Sequence, residues 1–118
     1  MKLNLDQISR EWQEKARKFA EDELIPCELD AEMNEGRLPA EVAKRHREMA
    51  VELGFSSMDV PREHGGLDLR TVDQVAVWEQ LGRVTNALCW CFSEPHDWMF
   101  EACNDDQLQR YILPLMTG

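Results

Sequence analysis

The sequence predicts an all-α fold, a helical bundle of about six helices. Three observations predict it. Apolar residues recur at spacings of three and four along most of the chain. Capping pairs stand in front of several of those runs. The one apolar segment that lacks a period has no second strand-like run to pair with. No repeat, linker or biased stretch divides the 118 residues, so residues 1–118 read as a single domain.

The first helix is carried by Leu5, Ile8, Trp12, Ala16, Phe19, Ala20 and Leu24, one stripe with charges elsewhere. Asn4 with Gln7 fits a capping pair at its start, and Pro26 kinks or ends it because proline has no N–H and its ring clashes with the preceding turn. Glu28 to Met33 continues helically until Asn34-Glu35-Gly36 supplies a stop. Pro39 opens a second helix with the stripe Val42, His46, Met49, Ala50 and Leu53, closed by Gly54. His46 is expected to be a core-edge histidine rather than a ligand. Phe55 to Leu69 has no period and contains Pro61, Gly65 and Gly66; an aperiodic stretch of this length inside a small domain signals packing or function. Thr71 with Gln74 caps a helix bearing Val72, Val75, Ala76 and Leu81 that ends at Gly82.

Ala87-Leu88-Cys89-Trp90-Cys91-Phe92 is apolar on every side, so it is expected to be wrapped by protein or to line a cavity, and the absence of a pairing strand favours helix. Ser93-Glu94-Pro95 interrupts it, and Trp98, Met99 and Ala102 continue a stripe. Asn104 with Gln107 caps a last helix containing Leu108, Tyr111, Ile112 and Leu115.

Composition removes several function classes. The chain is 43% hydrophobic and has 6 Gly and 5 Pro, too apolar and too ordered for a disordered tail. Thirteen basic against 23 acidic residues give a net charge of -10. Lys15, Arg17, Lys18 and Lys44, Arg45, Arg47 are interleaved with or flanked by acids and read as solvated helix faces, so a nucleic-acid partner is not expected. No apolar run approaches the roughly 20 residues that span a bilayer, and membrane insertion is not expected. The start of the chain shows no signal-peptide pattern, which points to a cytoplasmic setting and to four reduced thiols. Cys89, Cys91, His96 and Cys103 invite a metal-site reading, but structural zinc sites repeat a spacing of two to four residues in each half and these do not; small buried hydrophobes are expected instead.

The usual catalytic constellations are absent: no Gly-rich phosphate loop, no Gly-x-Ser-x-Gly, no His-Glu-x-x-His, no Cys or Ser with an evident His partner. Glu21, Asp22 and Glu23 lie along a charged face, and Asp105 and Asp106 sit in a first helical turn where they complement the dipole.

A resemblance runs through the remaining motifs. Leu53-Gly54-Phe55, then Asp59-Val60-Pro61-Arg62-Glu63-His64-Gly65-Gly66-Leu67-Asp68-Leu69, then Trp78-Glu79-Gln80-Leu81-Gly82-Arg83 resemble the amino-terminal helical domain of the acyl-CoA dehydrogenases. Phe19-Ala20-Glu21 through Leu24-Ile25-Pro26 is similar to the family's first helix. Asn104-Asp105-Asp106-Gln107 with Tyr111-Ile112-Leu113-Pro114 and Gly118 is similar to the end of that domain. Four motifs in the family's order cover nearly the whole chain.

The resemblance implies an FAD enzyme that dehydrogenates acyl-CoA thioesters, with an electron-transfer partner and a homo-oligomeric assembly. It places the flavin contacts and the glutamate base in a middle β domain and a carboxy-terminal helical domain, so no catalytic residue is expected here. Gly118 falls where the middle domain would begin. The first domain's implied part is one wall of the acyl pocket, and Trp90, Cys91, Ser93, Trp98 and Met99 occupy the corresponding stretch as substrate-binding candidates. Against that stands a simpler reading in which the Trp and Met stripe is core within the domain. Ser93-Glu94-Pro95-His96-Asp97-Trp98 is similar to one subgroup of the family, and Cys103 stands where glycine is common. The alternative from another class is a self-contained helical interaction module, which predicts that Trp90, Trp98 and Met99 close a core inside the chain.

Overall fold

The computed structural model describes residues 4–118, apart from the side chains of residues 86 and 87. Its helices are α1 (Gln7–Phe19), α2 (Glu28–Met33), α3 (Ala40–Glu52), α4 (Thr71–Leu81), α5 (Asn86–Cys89), α6 (Asp97–Ala102) and α7 (Asp105–Gln107). No strand occurs among the described residues, so the all-α expectation holds. No helix among them is long and apolar enough to cross a membrane. The chain divides into two compact units, Met1–Leu38 with Arg70–Cys89, and Pro39–Leu69 with Trp90–Gly118.

In the first unit α1 lies against α4. Ala16, Phe19, Ala20 and Leu24 are fully buried, as the three-four spacing requires, while Ile8 at the start of the same stripe is 55% exposed. Trp12 is only half-buried and lies under the Lys15 ammonium, 3.9 Å from the ring centroid. The cap lies two positions beyond the expected one. Asp6, not Asn4, precedes the helix and accepts the Ser9 N–H at 2.9 Å, while Gln7 donates outward to Glu11.

Asp6 is drawn there by Arg70. The Arg70 guanidinium reaches Asp6 Oδ2 at 2.8 Å, and its Nε and Nη2 donate to the two oxygens of Asp73 at 2.9 and 2.8 Å. Ser9 Oγ completes the set by donating to Asp73 Oδ1 at 2.6 Å. The hydrogen-bonded guanidinium holds both carboxyls below the usual carboxylate range, Asp6 well below it, and the carboxylates raise Arg70 in turn. This network also explains why the expected Thr71–Gln74 capping pair is absent. Arg70 occupies the N-cap with no side-chain cap bond, and Asp73 in the first turn points inward. The buried face of α4 is rotated accordingly: Asp73, Ala76, Val77, Gln80 and Leu81 are inside, whereas Val72 and Val75, expected on the stripe, are 41% and 54% exposed.

Pro26 acts on the helix upstream of itself. The turn widens from Ala20 to Leu24, with the Ile25 N–H donating to Ala20 O five residues back, and a tight turn Ile25–Cys27 then leads into α2. A proline ring clashes with the carbonyl four residues earlier in a regular helix, and one wide turn removes that clash. The second unit repeats the device after α7, where Leu113 N–H donates to Leu108 O immediately before Pro114.

In the second unit α3 ends at Gly54, whose φ of 90° is a conformation that a side chain disfavours. Phe55, Ser56, Met58 and Val60 are then buried in succession. The aperiodic stretch is held by its own backbone. Leu67 N–H donates to Ser57 O at 2.9 Å, Leu69 N–H to Met58 O at 2.8 Å, and Asp68 N–H to Val60 O at 3.0 Å. Its length therefore reflects packing rather than slack. His46 is fully buried, deeper than the core-edge position expected of it.

The last capping pair is present as expected. Asn104 Oδ1 accepts the Gln107 N–H at 2.9 Å and Gln107 Oε1 accepts the Asn104 N–H at 3.0 Å. Asn104→Ala is expected to cost about 1 kcal/mol, because the Gln107 N–H loses its side-chain acceptor at an exposed helix end. A denaturant titration should show a lower midpoint with an unchanged slope.

Candidate functional site

The segment from Trp90 to Phe100, in the second unit, is where exposed aromatic side chains meet a firmly held backbone. Its apolar start is not wrapped as its composition predicts. Leu88 is buried, but α5 stops at Cys89 and Trp90 is 76% exposed, so Cys91 and Phe92 continue as irregular chain. The apolar run is too short to hold a helix of its own once tertiary packing pulls only one side inward.

Three anchors fix this segment to the stretch 55–69. The Phe92 ring lies 6.0 Å from that of buried Phe55, tilted by 37°. Pro95 is fully buried, and around it the backbone is tied to Asp59 in both directions. The Asp59 N–H donates to Glu94 Oε1 at 3.2 Å, and the Asp97 N–H donates to Asp59 Oδ2 at 3.2 Å. The third anchor is Phe100, whose ring centroid is 4.6 Å from that of His64.

Asp59 thus caps α6 from outside. His96 occupies the N-cap position with no side-chain cap bond of its own, and the first-turn N–H of Asp97 is satisfied instead by a carboxylate from far along the chain. His96 Nδ1 lies 3.4 Å from the same Asp59 oxygen. The segment, with the rest of α6, carries the carboxylates of Glu94, Asp97 and Glu101, and that of Asp59 is bonded to its backbone.

Between the anchors, Trp90, Ser93 and Trp98 are exposed, and Cys91 and Met99 are half-buried. All five sequence candidates therefore fall in one stretch of one unit, with Trp98 and Met99 on α6 and the other three on the irregular chain before it. Trp98 is 59% exposed, so neither indole closes a core. Reasoning from sequence missed Asp59 altogether, because a cap supplied across 38 residues leaves no local spacing to read.

The four cysteines are half-buried rather than buried. Among the described residues no group of three or more His, Cys, Asp or Glu is placed to hold a metal ion, and Cys89, Cys91, His96 and Cys103 form no such cluster.

The similarity to known proteins agrees with this architecture. A chain from a structure of the electron transferring flavoprotein of Acidaminococcus fermentans, studied towards a mechanism of flavin-based electron bifurcation, superposes with a TM-score of 0.67 at 20% identity. The match covers 100% of this chain and 31% of that one, so this chain spans about a third of the length of its structural relative, and at that identity the likeness establishes the fold. Residues 7–118 match the family model of the acyl-CoA dehydrogenase N-terminal domain. With that match extending across both units, the chain belongs to the family of acyl-CoA dehydrogenase N-terminal domains.

Proposed function

We propose that this chain serves as the amino-terminal helical domain of an FAD-dependent acyl-CoA dehydrogenase and supplies part of the wall around the acyl chain. The family match over residues 7–118 carries the proposal. The substrate-binding residues would be Trp90, Cys91, Ser93, Trp98 and Met99. Exposed indoles on a fixed backbone support this reading, since an acyl tail gains by displacing water from large apolar surfaces that are already ordered. The same exposure counts against a self-contained interaction module, which needs those side chains in its own core.

The charges support a reading in which the uncharged end of the substrate meets this domain. Asp59, Glu94, Asp97 and Glu101 would repel the phosphates of coenzyme A and of FAD, so the segment suits the uncharged tail of the thioester. For the same reason its own residues do not fit a whole FAD, whose pyrophosphate calls for converging N–H donors or cations. The flavin and the base that removes the α proton belong to further domains of the parent enzyme. An electron-transfer partner and a homo-oligomeric, cytoplasmic enzyme complete the proposal. This domain's contribution is to bind and orient the tail and to exclude water.

The test is the visible spectrum of the purified product of the complete reading frame. Flavin absorbance that bleaches on addition of acyl-CoA is the expected result. A product that stays colourless after reconstitution with FAD would overturn the proposal.

A further inference from the structure

We propose that Asp59 is a positioning residue that sets acyl-chain selectivity by clamping the tail-facing segment, an inference that rests on the acyl-pocket reading above. The segment bearing Trp90, Cys91, Ser93, Trp98 and Met99 has almost no regular structure to hold it. α5 contributes one turn before it, and α6 is only the six residues Asp97–Ala102, far too short to be stable alone. Its geometry depends on contacts with the stretch 55–69, and Asp59 makes two hydrogen bonds among them.

The clamp is reciprocal. The Asp59 main chain gives a hydrogen bond to Glu94 and its side chain receives one from the Asp97 main chain, so the residues on both sides of buried Pro95 are referred to a single residue. Asp59 is itself anchored, because Met58 and Val60 on either side are fully buried and both hydrogen-bond through their carbonyls to the returning strand of chain at Leu69 and Asp68. A carboxylate at this point does three things at once: it satisfies an otherwise orphan N–H of α6, favours the positive end of that helix, and faces His96 Nδ1 at 3.4 Å. Trp98 directly follows the clamped residue, and its own N–H is received by the Asp97 carboxylate at 2.6 Å. A change at Asp59 therefore moves the indole that meets the substrate without touching substrate itself.

Selectivity between acyl chains that differ by a methylene or two depends on walls that cannot relax. Loss of the clamp should flatten it. In the full-length flavoprotein, Asp59→Ala is expected to reduce the ratio of kcat/KM between the preferred acyl-CoA and its next longer and shorter homologues by about tenfold, mainly through KM. Asp59→Asn keeps an acceptor oxygen for the Asp97 N–H and is expected to recover most of that ratio, while Glu94→Gln, which keeps the other acceptor, changes it by less. A general loss of stability would lower turnover of every homologue together and leave the ratio where it was.

Wild-type turnover of acyl-CoA with a flattened ratio in Asp59→Ala and recovery in Asp59→Asn supports the proposal. Wild-type turnover with the ratio unchanged in both variants overturns the clamp and leaves the acyl-pocket reading standing. A wild-type flavoprotein that turns over no acyl-CoA overturns both. If Asp59→Ala does not fold, the decision passes to Glu94→Ala, which removes the acceptor of the Asp59 N–H: a flattened ratio there supports the clamp, and an unchanged ratio overturns it.

Discussion

Gly66→Ala is expected to be among the most destabilising single substitutions in this chain, at about 3 kcal/mol or more. A Cβ built on Gly66 overlaps both the carbonyl oxygen and the Cβ of Val60. Neither neighbour can give way. Val60 is fully buried, and its carbonyl already receives the Asp68 N–H at 3.0 Å. The methyl would have to push two strands of the 55–69 stretch apart, breaking the hydrogen bonds from Leu67 to Ser57 and from Leu69 to Met58 that hold them. Gly65 next to it makes an informative contrast. Its φ of 85° disfavours a side chain, yet a Cβ there meets nothing within 4 Å. Gly65→Ala should therefore cost only the strain of a left-handed conformation, about 1 kcal/mol. Denaturant midpoints for the two variants measure the difference, and equal losses would mean that the close approach at Gly66 carries no weight.

Asp73→Ala is expected to cost about 2–4 kcal/mol. Asp73 is 2% exposed and accepts from Ser9 Oγ and twice from Arg70, so its removal leaves a buried hydroxyl without its acceptor and takes two acceptors from the guanidinium. The same network predicts acid lability. Asp6 and Asp73 are held below their ordinary value of 3.8 when folded, so their contribution is complete above that value and is lost as the pH falls through the lower folded values. Stability measured by denaturation between pH 7 and pH 3 should decline at the acid end in the wild type. In Asp73→Ala that decline should be shallower, since one of the two titrating groups is gone. A wild-type profile as flat as the variant's would refute the linkage.

Much of the molecule was legible from residue order. The burial of Ala16, Phe19, Ala20 and Leu24 follows from their spacing alone, as do the Asn104–Gln107 cap and the stop at Gly54. These are local effects, in which neighbours within one or two turns decide the outcome. The family was legible too, because its motifs are short and occur in order. The exposure of Trp90 and Trp98 was not legible, since an apolar run by itself says only that water is disfavoured.

Errors arose where a distant residue outbid a local one. Asn4 and Thr71 both looked like caps by spacing, yet Arg70 recruits Asp6 across 64 positions and Asp73 from the first turn of α4, and both helix starts move. The inward face of α4 turned with it, since a carboxylate bonded to Ser9 and Arg70 can be buried while Val72 and Val75 are left outside. Helical periodicity, turn chemistry and charge thus determined that this chain is all-α and which family it joins, because those properties depend on interactions a few residues apart. Which polar groups are buried, how the tail-facing segment is held and what Asp59 does there were decided by tertiary structure alone, because a hydrogen bond between residues 59 and 97 has no signature in either residue's neighbourhood.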